Sequence, residues 1–131
     1  MSTYEMGKTI KKWAATPDPA ATVAAIYSDV YSYDPVIICD FLQIKIKYAK
    51  LPEGFYSVSD TNLQATEYTI TVADSIKGND NKVRLTLARQ LGRILYGNTS
   101  QEPISIETYE HVADSFAREL LARYVDNGGT L

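Results

Sequence analysis

Arg84-Leu85-Thr86-Leu87-Ala88-Arg89-Gln90-Leu91-Gly92-Arg93-Ile94-Leu95 is the stretch on which the reading of this chain turns. With Val83 before it, its apolar residues Val83, Leu87, Leu91 and Ile94 fall at i, i+4, i+8 and i+11, one stripe of a 3.6-residue period. The pattern predicts a helix over 81–97, closed at Gly97-Asn98 by a C-cap. Arg89 and Arg93 are four residues apart, so they stack on a face turned away from the stripe, with Gln90 between face and stripe. Two such cations repel modestly unless an anion lies near them.

A second helix is expected downstream, capped by Ser105 and running to about Tyr124, after a linker over Thr99–Pro103. Ile106, Tyr109, Ala113, Phe116, Ala117, Leu120 and Tyr124 make its apolar stripe. At 100° per residue Glu110 falls inside that stripe, between Ala117 and Leu121, and His111 falls on the opposite side, toward water. A carboxylate among apolar side chains must be paired or neutralised, so Glu110 is expected to have a partner.

Upstream, Thr66–Ala73 alternates Tyr68, Ile70 and Val72 with Thr69 and Thr71, the clearest strand of the chain. Gln43–Tyr48 alternates Ile44, Ile46 and Tyr48 with Lys45 and Lys47, a half-buried strand, and Phe55–Ser59 is a third candidate beyond the turn Leu51-Pro52-Glu53-Gly54. The loop Lys77–Asn81 lacks the ligand series of a calcium loop. The N-terminal part reads as helices: residues 1–16 docking by Trp13, then Ala20–Tyr31 after the breaker Thr16-Pro17-Asp18-Pro19, then Pro35–Leu42 with Asp34 as N-cap. Helices, then strands, then two helices favour an α+β fold.

At 131 residues the chain has the length of a single domain, 1–131. The net charge of −3 argues against electrostatically driven binding to nucleic acid, and the lysine groups at Lys8, Lys11, Lys12 and at Lys45, Lys47, Lys50 read as solvated faces. No apolar run approaches the ~20 residues of a membrane span, and no signal peptide is apparent, so a cytoplasmic protein is expected. The single cysteine, Cys39, reads as a buried residue with no disulfide to form. With one cysteine and one histidine in the whole chain, a conventional zinc site is hard to build.

Both helical blocks nevertheless resemble those of the ImmA/IrrE-type metallopeptidases. The first block, Arg84–Leu95, looks like the family's R-x-T-L-A-H-E-L-G-H-I-L. The second, Glu110-His111-Val112-Ala113-Asp114-Ser115-Phe116-Ala117-Arg118-Glu119-Leu120-Leu121, is similar to its E-x-x-A-N-x-F-A-x-x-L-L. The resemblance spans about residues 35–121 and rests almost entirely on these blocks. It implies a zincin-like α+β fold: N-terminal helices, a small, mostly antiparallel sheet of about three strands, and two C-terminal helices carrying a degenerate site, with the core over about 35–124. The proline usual after the Leu-Leu pair is missing, since Ala122-Arg123 follows Leu121.

The other departures fall on the chemistry. In the family two histidines at i and i+4 bind zinc and the intervening glutamate activates water. The matching positions here are Arg89, Gln90 and Arg93, and only Glu110 matches a ligand position. A guanidinium has no lone pair to give a metal, and glutamine is no general base. The resemblance therefore implies a pseudo-peptidase, with no catalytic residue, no metal and no cofactor. Arg89 or Arg93 is expected to bond Glu110 where zinc would sit, in a two-pronged contact.

The function implied is that of a protein-binding regulator from a mobile element. Its expected partner is a helix-turn-helix repressor or an intact homologue, with no nucleic acid or membrane, and the Thr66–Ala73 strand is a candidate peptide-binding edge. Two alternatives belong to other classes. One is an enzyme with a carboxylate site drawn from Glu107, Glu110, Asp114 and Glu119, of which Glu110 and Asp114 share i, i+4 spacing. The other is a structural or assembly subunit, suggested by the ten tyrosines.

Overall fold

The computed structural model describes residues 3–61, 68–99 and 106–130. Helices α1 (Thr3–Trp13), α2 (Pro19–Val30) and α3 (Pro35–Phe41) come first. Strands β1 (Lys45–Ala49), β2 (Ser57–Thr61) and β3 (Tyr68–Ala73) follow, then a 3-10 turn (Asp74–Ile76), α4 (Asp80–Thr99) and α5 (Ile106–Asp126). The fold is α+β, as expected. The Ser105 cap lies outside the described residues, as do most of the linker Thr99–Pro103 and of the connection Asp60–Ala65.

Local chemistry accounts for the helix starts. Asp18 caps α2 by accepting from the Ala20 N–H at 3.1 Å, and Asp34 caps α3 by accepting from the Val36 N–H at 2.9 Å. In both helices the proline occupies the first position, where no N–H is needed. Asp34 has a second task. Arg84, near the start of α4, grips it through Nε and Nη2, each at 3.2 Å, and so ties α4 to the cap of α3. Trp13 docks as expected. It is buried, it stacks on Phe41, and its indole N–H donates to Asp29 Oδ2 at 2.7 Å, which joins α1 to α2.

The sheet corrects one expectation. It is mixed rather than mostly antiparallel, with the order β1-β3-β2: β3 runs parallel to β1 and antiparallel to β2. Successive strands still reverse direction along the chain, but β3 inserts between the two earlier strands, so β1 becomes its parallel neighbour. The insertion also removes β3 as a peptide-binding edge, because it is hydrogen-bonded on both sides. The residues that made β3 the clearest strand suit that central place: Ile70 and Val72 are fully buried.

Helix α4 is the hub, packing on α5, α1, α3 and the sheet. Its stripe Val83, Leu87, Leu91 and Ile94 is buried, as are Ala113, Phe116, Ala117 and Leu120 of α5. The two helices approach so closely that a Cβ on Gly92 would stand 2.7 Å from the Ala113 carbonyl oxygen and 3.0 Å from its Cα. Deeper in, the Tyr96 hydroxyl donates to Thr22 Oγ1 at 2.8 Å and satisfies the buried Thr22. Among the described residues no helix is long and apolar enough to cross a membrane.

Candidate functional site

The four positions singled out in the sequence, Arg89, Gln90, Arg93 and Glu110, meet along the α4–α5 seam and its border with β2. Because Gly92 seats against Ala113, the helices are locked in one antiparallel register, and residues a turn apart on α4 face residues a turn apart on α5. Arg93 Nη2 donates to Glu110 Oε2 at 3.0 Å. One turn earlier, Arg89 Nε lies 3.8 Å from Asp114 Oδ1. The first pair is a charge-assisted hydrogen bond, and the second is an ion pair beyond hydrogen-bond range.

Two details differ from expectation. Glu110 is not enclosed in the apolar stripe: its side chain is 41% exposed and that of Arg93 38%, so the pair lies at the margin of the seam. The contact joins one nitrogen to one oxygen and is not the fork anticipated. At this exposure solvent screens the attraction, which limits each pair to at most about 1 kcal/mol. The wheel placed Glu110 by angle alone, whereas helix separation sets depth.

Gln90 differs in the other direction. Expected between the polar face and the stripe, it is only 3% exposed. Its Nε2 donates to Ser57 Oγ at 2.6 Å, which fastens α4 to edge strand β2. Its Oε1 is buried without a partner among the described residues.

The remaining candidates do not converge. Asp114 turns to Arg89 and Glu110 to Arg93, and Glu119 pairs with Arg123 on its own helix at 3.0 Å. The side chain of Glu107 lies outside the described set. His111 is exposed, on the water side as expected. Among the described residues no three His, Cys, Asp or Glu side chains gather as a metal site would require. Cys39 is fully buried, and burial, reinforced by Asp34, pushes its thiol up to about 12.

Two participants, Ser57 and Gly92, were not singled out in the sequence, and Asp114 was singled out only as a candidate acid. Ser57 carries no pattern that would flag it. Gly92 does: a glycine inside a helix costs ~1 kcal/mol against alanine, so its presence signals a close approach. Asp114 as the partner of Arg89 follows only once the helix register is known. No family model, curated protein or solved structure matches this chain.

Proposed function

We propose that this chain is a non-catalytic, metallopeptidase-like protein that acts by binding a protein partner. The observation that carries the reading is the pair of cross-helix contacts, Arg93 to Glu110 and Arg89 to Asp114, in the two blocks that resemble the ImmA/IrrE-type motifs. Where the family's pattern has two histidines, this chain has two arginines, and each faces a carboxylate on α5. In this reading guanidinium charge takes the place of a zinc ion's charge. No lone pair and no general base is offered at these positions.

A zincin-like fold and a setting in a mobile element are part of the same proposal. They make a helix-turn-helix repressor or an intact homologue the expected class of partner. The carboxylate-enzyme alternative draws no support from the geometry, because Glu110 and Asp114 are committed to different arginines rather than aimed at one point.

The experiment is to restore the histidines. Arg89→His with Arg93→His should create zinc affinity shared with Glu110, read by calorimetry on the folded variant.

A further inference from the structure

We infer that the shallow groove between α4 and α5 beside Arg89 is a docking point for an acidic peptide, one that offers a carboxylate next to an aliphatic side chain. The inference rests on the reading of the chain as an interaction protein and specifies the chemistry of its partner.

The groove is lined by Leu85, Arg89, Asp114, Ala117 and Arg118 and encloses about 180 Å³. That is too small for a drug-sized ligand, whose pockets run ~300–1,000 Å³, and suits a peptide side chain. Its floor is apolar: Ala117 is buried, and Leu85 is left 37% exposed on a helix whose other leucines, Leu87, Leu91 and Leu95, are fully buried. Its rim carries two guanidinium groups and one carboxylate.

The charges there are not settled as they are elsewhere on these helices. Arg84, Arg93 and Arg123 each hold a carboxylate at 3.0–3.2 Å. Arg89 reaches Asp114 only at 3.8 Å, and Arg118 makes no ion pair among the described residues. One positive charge is therefore in excess at the groove, on a chain whose net charge is −3. Guanidinium groups in this state favour a carboxylate, which they can bind through parallel N–H donors. Asp114 on the rim disfavours a phosphate, whose charge approaches −2. The expected occupant is thus a singly charged acidic side chain, with its aliphatic neighbour over Leu85.

The test titrates the isotopically labelled full chain with two capped dipeptides, acetyl-leucyl-glutamate amide and acetyl-leucyl-glutamine amide, followed by NMR. The acidic peptide should shift the amides of Leu85, Arg89, Ala117 and Arg118 and bind about fivefold tighter, the size of a half-exposed ion pair. Arg118→Gln should abolish that preference, and Lys47→Gln, at an exposed position of β1, should leave it. Equal binding of the two peptides, no binding, or shifts centred elsewhere would overturn the inference. Zinc binding by the histidine variants without peptide binding sinks the groove alone. Peptide binding without zinc affinity sinks the metallopeptidase-like frame alone.

Discussion

Arg93 and Glu110 face each other at 3.0 Å across two helices whose register is fixed by the contact of Gly92 with Ala113. Both side chains are more than a third exposed, so the pair orients the seam more than it stabilises it. In a double-mutant cycle with Arg93→Ala and Glu110→Ala, the coupling energy should be at most about 1 kcal/mol. It should shrink further in about 1 M salt, where the Debye length is near 3 Å. A coupling of several kcal/mol would mean that the pair is buried.

The close approach of the helices should matter more. Gly92→Ala places a methyl group against the backbone of Ala113, which cannot rotate away as a side chain could. A cost of about 1–3 kcal/mol is expected in urea denaturation, despite the better helix propensity of alanine. Gly7→Ala in α1, with nothing within 4 Å, should instead stabilise by about 0.5–1 kcal/mol. Like effects at the two sites would contradict the packing.

A pH effect should be traceable to Asp29. The Trp13 indole N–H, and secondarily Lys12, hold its carboxyl below the usual aspartate range. A folded-state pKa below the unfolded value of ~3.9 gives stability that is fully present above that value. It is lost as pH falls through the folded pKa. Asp29→Asn should therefore be less stable than the parent at neutral pH, and the gap should close below about pH 4. Trp13 fluorescence is the natural probe, and a gap that widened in acid would reverse the assignment.

Cys39 should be inert. Burial pushes its thiol up to about 12, so almost no thiolate exists at neutral pH and the sulfur has no exposed surface. Iodoacetamide should label it only after unfolding. Rapid labelling of the native chain would show that α3 opens.

Much of the fold was legible because it is written locally. Pro19 and Pro35 behind their capping aspartates mark two helix starts, and the stripes of α4 and α5 mark what the helices bury. Strand order was not legible, because insertion of β3 between β1 and β2 is a long-range choice that leaves alternation unchanged. The candidate site divides in the same way. The angle of Glu110 on the helix turns it toward α4, although at 41% exposure burial does not oblige it to pair. Which arginine takes it, how exposed the pair is, and that Gln90 turns inward to Ser57 depend on the spacing of neighbouring elements.

The most direct measurement concerns metal. Arg89→His, Gln90→Glu and Arg93→His together should give a chain that binds one zinc ion through the two introduced imidazoles and Glu110, and the parent should bind none. Because Gln90 is buried, the new glutamate carries a burial cost, so circular dichroism must show the variant folded. The Arg89→His, Arg93→His pair serves as the variant that avoids that cost. Stoichiometric zinc by calorimetry, lost when Glu110→Ala is added, is the predicted result. Folded variants with no more affinity for zinc than the parent would contradict the metallopeptidase-like frame.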